Sequence, residues 1–382
     1  MPWNEVSTVD LRREFVSLAE NEDANIRLLC HRFGISAKTG YKWLERFKQG
    51  GADALSDQSR RPHSSPRRTE TNLERAVLTL RSKHPAWGGR KLARRLLDLG
   101  MEEVPAPSTV TEILRRHECL GTPDGEGTQR RYHRFEHDAP NQLWQIDFKS
   151  PVQTPRGVCH TLTAIDDHSR YNLILNACSR QGVREVQPVM TEAFRRYGLP
   201  IRINSDNGPP WGSPREHTHG ISQLSVWLIR LGIRMSHSRP YHPQTNGKDE
   251  RFHRSLDREL LKVKGFADRP HLQTELDHWR RCYNHERPHE ALALAVPATR
   301  YKPSPRLYPE KLPAIEYGPG DTVARVKSDG RFRVFGRSGK VSNALMGLDI
   351  ALRPALQNLD GVYDIFFCHQ RIGRLDLRIL EK

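Results

Sequence analysis

The sequence is short of the features that would place it in most other functional classes. Its 382 residues include only six cysteines, at positions 30, 119, 159, 178, 282 and 368, and no two form a CxxC pair. That excludes a disulfide framework or a zinc ribbon and predicts a reducing, cytoplasmic setting next to the chromosome. No run approaches the roughly 18 apolar residues of a membrane span, and no signal peptide opens the chain, so neither insertion into nor passage through a membrane is expected. No GxxxxGK[ST] loop is present, which argues against ATP-driven chemistry. Acidic residues are in the minority, with 45 Asp and Glu against 61 Lys and Arg, giving a net charge of +16 and a pI of about 9.8. The basic excess is spread over the N-terminal, central and C-terminal parts. A protein so charged meets a polyanion along its length, nucleic acid first and anionic membrane second.

What is present begins with three short amphipathic segments. Leu11 to Glu20 and Asn25 to Arg32 each read as a helix, with Phe15 and Leu18 on one side of the first and Ile26, Leu29 and Cys30 apolar in the second. In Phe33-Gly34-Ile35-Ser36, Gly34 suits a left-handed position after the helix and Ser36 caps the next one. The third helix, Ala37 to Lys48, buries Trp43, Leu44 and Phe47 and leaves Lys38, Thr39 and Lys42 outside. A short helix, a glycine turn and a basic helix form the helix-turn-helix pattern, whose second element enters the major groove. Residues 1–55 are therefore expected to be a DNA-binding domain with Lys38, Thr39 and Lys42 as contacts. The linker 56–71 is rich in Ser, Pro and Arg, and its Arg60, Arg61, Arg67 and Arg68 suit phosphate contacts. A second helical domain, 72–120, follows, with Ser108 the expected cap of its last helix. Residues 121–138 form another linker.

From Ala139 the periodicity changes. Leu143 to Lys149 alternates with period two, placing Trp144, Ile146 and Phe148 on one face and Asp147 on the other. Val158–Ile165 and Tyr171–Ala177 read as strands joined by a turn at 166–170. Val183–Tyr197 reads as a helix, 201–205 as a strand, 221–231 as a helix and 233–236 as a strand. After a Pro- and Gly-rich stretch, a run of helix formers extends to Lys264. On that helix Phe252, Leu256, Leu260 and Val263 share a face, and Glu250 lies about 200° from Phe252, pointing away from it. Leu272–Asn284 is the last helix of a domain expected at 139–305. Short strands with Gly turns over 318–382 predict a small antiparallel barrel, made basic by Arg331, Arg333, Arg337 and Lys340. The fold class is thus multidomain: helical N-terminal units, an α/β core and a small C-terminal β-barrel.

Three carboxylates stand at strand ends and a helix start: Asp147, Asp206 and Glu250. Hard oxygen donors of this kind suit Mg²⁺ or Mn²⁺ and are poor for zinc. Two such ions activate a water or hydroxyl and stabilise the leaving oxygen in an in-line phosphoryl transfer.

The motifs WQIDF (144–148), SDNG (205–208), HPQTNGKDERFHRSL (242–256) and YNHERPHEAL (283–292) resemble the integrase core of DDE transposases, within the RNase H-like fold. With FGISAKTGYKWLERF and SRRPHSSP upstream, the chain is similar to insertion-sequence transposases of the IS481/IS3 kind over nearly its whole length. The resemblance implies that Asp147, Asp206 and Glu250 are the catalytic, metal-holding triad. Adjacent Asp249 is the rival for third place, but Gly247–Arg251 matches the family's Gly-x-x-Glu-Arg and selects Glu250. It implies cleavage and strand transfer at the element's ends, double-stranded DNA as partner and at least a homodimer on it, with Lys248, Arg251 and Arg254 flanking the triad on the DNA side. Two departures stand out. The loop GPPWGSPREHTHG (208–220) lengthens the gap between the second and third carboxylates, and no His/Cys zinc module is present, since His133 and His137 lack a cysteine pair. A non-catalytic helix-turn-helix regulator, or a nuclease that cuts without joining, are the competing readings.

Overall fold

The computed structural model of the chain describes residues 7–21, 23–58, 69–120, 136–212, 220–237, 247–355 and 361–378. It divides into two compact units, Met1–Arg68 and Thr69–Lys382.

The first unit holds α1 (Thr8–Ala19), α2 (Ile26–Arg32) and α3 (Ala37–Gly50), closed by a 3₁₀ turn at Gly51–Leu55. Gly34 has φ +65°, and the Ser36 hydroxyl accepts the Thr39 N–H, so the turn forms as its residues dictate. Phe15, Val16, Cys30, Trp43 and Leu55 make the core. Gly40 sits inside α3 at a cost of about 1 kcal/mol relative to Ala. A Cβ there would come within 2.4 Å of Cys30 Sγ, so the close approach of the helices requires it. Lys38 and Lys42 lie exposed on α3, while Thr39 is half-buried with its hydroxyl 2.9 Å from that of Ser36.

The second unit begins with α4 (Thr71–Lys83), α5 (Gly89–Asp98) and α6 (Pro107–Arg116), packed around Val77, Trp87, Leu92, Leu96 and Ile113. Ser108 does not cap α6. The helix starts one residue earlier, at Pro107, whose preset φ and missing N–H suit the first helical position.

The central sheet comprises β1 (Leu143–Thr154), β2 (Gly157–Asp166), β3 (Asn172–Cys178), β4 (Arg202–Ser205) and β5 (Arg234–His237), ordered β3-β2-β1-β4-β5. The first three strands are antiparallel, and β1, β4 and β5 run parallel. One face carries α7 (Val183–Tyr197) and α8 (Gln223–Arg230) over Trp144, Ile146 and Leu162. The other carries α9 (Gly247–Leu256) and α10 (Arg269–His285) over Ile165 and Leu175. The order of three strands, helix, strand, helix, strand, helix, helix follows the sequence pattern, and this is an RNase H-like core.

Two expectations are corrected here. The helix after Gly247 does not run unbroken to Lys264: at Asp257–Leu261 it widens to a π turn, which carries Leu260 inward but leaves Val263 63% exposed. Nor does the C-terminal part close into a barrel. Strands β6 (Thr322–Arg325), β9 (Asp349–Pro354), β10 (Val362–Phe367) and β11 (Gln370–Asp376) form an open sheet ordered β11-β10-β9-β6. A separate ribbon pairs β7 (Arg331–Val334) with β8 (Arg337–Lys340), a strand without apolar alternation. Closure is unnecessary because the five-stranded sheet and its helices cover the apolar side. Val326, Phe332, Val341, Leu345 and Ile350 join the same buried cluster as Trp211 and Trp227. Gln370 bonds both the N–H and the carbonyl of Met235 on β5. Among the described residues no helix is long and apolar enough to cross a membrane.

Within the motif at 283–292, His289 is 7% exposed, edge-on to Tyr283 at 4.6 Å, and its Nε2 donates to the Tyr283 carbonyl. Burial, with the Arg287 charge adding, holds its pKa well below the usual imidazole range. The folded state keeps it neutral while the unfolded chain protonates near pH 6.5, so below that pH the unfolded state binds more protons. Stability is expected to be full above about pH 6.5 and to fall as pH drops, by at most about 1.4 kcal/mol per pH unit from this group. Denaturant unfolding at pH 7 and pH 5 checks it: His289→Gln lowers stability at pH 7 and flattens the difference between the two.

Candidate active site

The parallel pairing of β1 with β4 sets Gln145 opposite Asn204. Two residues further along each chain come Asp147 and Asp206. Asp147 lies on the sheet face opposite Trp144 and Ile146, and Asp206 directly follows β4, near enough for its charge to act on Asp147. Asp147, on the α9 side, is half-buried, and its Oδ1 accepts the Phe148 N–H at 2.8 Å. Burial raises its pKa to about 6; the charges of Asp206 and Glu250 push the same way, and Lys149 opposes them. Asp206 follows β4 in an exposed position, where its Oδ1 accepts the Gly208 N–H at 3.2 Å. Partial loss of water raises its pKa, and His237 opposes the shift. His237 closes β5 and its Nδ1 donates to the Asp206 carbonyl at 2.9 Å, which fixes the backbone that presents the carboxylate. Glu250 is exposed on the first turn of α9.

Asp249 approaches Asp147 from the core side instead. It precedes Phe252 by three residues and shares its inward face, so it is only 2% exposed. Its Oδ2 lies 3.5 Å from His253 Nε2, and the Thr163 hydroxyl reaches its Oδ1 at 3.5 Å. That hydroxyl also meets His253 Nε2 at 2.8 Å and the Asp147 carbonyl at 3.1 Å. Burial, reinforced by the Asp147 charge, holds the Asp249 pKa well above the carboxylate range, and burial pushes His253 down to about 3. Donor atoms of Asp147, Asp249 and His253 all lie within 4.8 Å of one another. The sequence reading did not single out Thr163, His237 or His253. The four-residue spacing of Asp249 and His253 on one helix was the available signal for the last.

The basic residues around Glu250 separate into two groups. Arg251 and Arg254 face solvent, Arg251 at 3.8 Å from Glu290. Lys248 turns inward, its Nζ 2.5 Å from Asp167 Oδ1 and 3.2 Å from the Asp167 carbonyl, and burial lowers its pKa. Its charge is therefore paired within the fold. Arg60, Arg61, Arg67 and Arg68 lie outside the described residues, as do 213–219 of the loop 208–220.

Lys149 bonds Asp257 at 3.1 Å, both largely enclosed, which ties β1 two residues past Asp147 to the π turn after α9. Removing one partner of an enclosed pair costs up to about 3–5 kcal/mol, while an apolar pair of similar volume recovers much of it. Lys149→Met alone is expected to lose stability on that scale and Lys149→Met/Asp257→Leu to regain most of it, as a double-mutant cycle in denaturant will measure.

Residues 137–243 and 231–297 each match an Integrase core domain family, residues 11–63 a Helix-turn-helix domain, residues 39–114 a Homeodomain-like domain, and residues 321–381 the IS481 family transposase, C-terminal domain. The Gag-Pol polyprotein of Baboon endogenous virus (strain M7) is 28% identical over 214 residues, 54% of this chain and 11% of that protein. The Insertion element IS407 uncharacterized 31.7 kDa protein of Burkholderia multivorans (strain ATCC 17616 / 249) is 26% identical over 160 residues, 42% of this chain and 55% of that protein. The chain therefore spans a small part of the viral polyprotein and about half of the insertion-element protein. A chain of the simian T-cell lymphotropic virus intasome in complex with PP2A regulatory subunit B56 gamma superposes with a TM-score of 0.37 at 20% identity, over 80% of this chain and 98% of that one. The sheet order and the domain matches define an integrase-core protein with helix-turn-helix domains. Within that class, the C-terminal match and the insertion-element relative make the chain similar to IS481 family transposases.

Proposed function

We propose that the chain binds the ends of an insertion sequence and catalyses DNA strand cleavage and strand transfer, with Asp147, Asp206 and Glu250 as the catalytic carboxylates. The observation that supports this reading is the parallel pairing of β1 with β4 just before Asp147 and Asp206, together with the charges of Asp206 and Glu250 acting on Asp147. The donor set fits a hard divalent cation, Mg²⁺ or Mn²⁺. The charges of Asp206 and Glu250 act on Asp147, and the lysine that opposes them, Lys149, is paired with Asp257. Such ions, when bound, supply Lewis-acid activation of the attacking oxygen and stabilisation of the leaving one. The chain does the rest. Gly208 and His237 orient Asp206, the Lys149–Asp257 bond holds the helix of Glu250 against the strand of Asp147, and Arg251 and Arg254 meet phosphates on the outer face of that helix.

Residues 1–55 read as the sequence-reading domain and 72–120 as a second DNA-binding unit, joined by the arginine-rich 56–71. Residues 139–305 carry the chemistry, and 318–382 extend it. Two ends joined in concert call for at least a homodimer on DNA, in the cytoplasm. Incubating the protein with its own flanking element ends and Mg²⁺ tests the reading: joined products support transposition, nicked ends without joining indicate a nuclease, and binding alone indicates a regulator. The exposed Lys38 and Lys42 supply a further check. Lys38→Ala/Lys42→Ala is expected to lose about 1–3 kcal/mol of discrimination between element ends and random DNA. Alanines at Arg60, Arg61, Arg67 and Arg68 weaken binding to all sequences and flatten its salt dependence, as titrations at several salt concentrations will show.

A further inference from the structure

His84, Cys282 and Glu286 meet where the helical unit α4–α6 packs against α10, apart from the carboxylate site. Cys282 and Glu286 are four residues apart on α10 and share a face, Glu286 being the residue that ends the helix. His84 ends α4 and brings its Nδ1 to 4.0 Å from Cys282 Sγ. One donor atom from each residue lies within 4.8 Å of the other two, and all three residues are half-buried. Two neighbours hold the donors in place. The His84 ring stacks on the buried Trp87 indole at 3.8 Å and 7°, and Arg95 bonds Glu286 Oε2 at 2.8 Å.

We propose that His84, Cys282 and Glu286 form a zinc site that fastens the α4–α6 helical unit to the catalytic unit, with water in the fourth position. Imidazole, thiolate and carboxylate are the donor types zinc takes, whereas the all-oxygen triad suits harder ions. A tetrahedral zinc shell spaces its donors by about 3.5 Å, so these three need to close by roughly 1 Å. The Trp87 stack and the Arg95 bond are outer supports of the kind that orient metal ligands. Uptake of Zn²⁺ breaks the S–H bond, forms Zn–S and releases the proton to water, so affinity rises with pH. Thiolate and Glu286 together neutralise the dication. Without a metal, Cys282 is only a thiol packed against the α4–α6 core.

Cobalt(II) distinguishes the two, because sulfur-to-cobalt charge-transfer absorption reports thiolate ligation and ignores the carboxylate site. Titrating the metal-free full-length protein with Co²⁺ is expected to give this band at one equivalent, to lose it on adding Zn²⁺, and to keep it in Cys368→Ser. Cys282→Ser abolishes the band, and His84→Gln or Glu286→Gln weakens Co²⁺ binding by at least about 10–100-fold. Zn²⁺ raises the Tm of the parent protein and not of Cys282→Ser. No band in the parent protein, a band that survives Cys282→Ser, or parent-like affinity in both His84→Gln and Glu286→Gln overturns the site. The parent titration and the His84 and Glu286 variants decide the matter even where Cys282→Ser fails to fold.

Discussion

Replacing Asp147 or Asp206 by Asn, or Glu250 by Gln, one at a time, is expected to abolish nicking and joining while DNA binding stays nearly unchanged. Each amide keeps the shape of the side chain and removes one of the charges of the proposed triad, where those of Asp206 and Glu250 act on Asp147. Losing one preorganised electrostatic group at a reacting centre typically costs about 10²–10³-fold in rate, and a metal ligand costs at least that. Asp249→Asn is the informative companion. Asp249 is enclosed by Thr163, His253 and Asp147, and burial biases it toward the neutral acid that an amide mimics. It is expected to stay within about tenfold of the parent rate and to lose no stability. Cleavage assays on labelled ends, with gel-shift binding as the control, check this. An inactive Asp249→Asn beside an active Glu250→Gln would move the third ligand one residue toward the core.

Truncation after Pro319 is expected to unfold the catalytic unit and not simply to remove an accessory domain. The deleted part contributes Val326, Phe332, Val341, Leu345, Ile350, Leu352 and Phe367 to the cluster that also holds Trp211 and Trp227. At about 1.5–3 kcal/mol for each fully buried side chain, this loss equals or exceeds the 5–15 kcal/mol that holds a typical domain together. The unit Met1–Arg68 has its own core and is expected to keep shifting DNA as a fragment. Calorimetry and strand-transfer assays on the truncated chain provide the check. A cooperative, active protein would show that the C-terminal sheet is an addition. The exposed Arg331 and Arg333, changed together to Ala, test its contact with DNA or a second protomer without opening the core.

How far the sequence could be read varied with the range of the interaction. Ser36 and Gly34 set the turn before α3 through a hydroxyl acceptor and a left-handed φ, which are properties of single residues. Val183–Tyr197 was legible end to end, because Gly198 (φ +75°) stops the helix whatever surrounds it. Alternation in 143–149 put Asp147 opposite the apolar face, and the spacing of Phe252, Leu256 and Leu260 faced Glu250 outward. The same arithmetic would have buried Asp249, three residues before Phe252.

Other features had no local signature. The pairing of the strand that carries Asp147 with the one that precedes Asp206 depends on which strand lies beside β1, and β4 lies far along the chain. The inward turn of Lys248 depends on Asp167, and the π turn at Asp257–Leu261 coincides with the bond to Lys149. The open C-terminal sheet depends on the catalytic unit covering its apolar side; the same strands read alone suggest a closed barrel. By itself the sequence determined the helices, the strands, the face each residue takes and the carboxylates available for chemistry, because backbone sterics and side-chain periodicity act over a few residues. Only the tertiary structure decided which carboxylates meet, which cations are spent internally and whether a sheet closes. Those outcomes rest on burial and charge pairing between residues tens to more than a hundred positions apart, which no local pattern encodes.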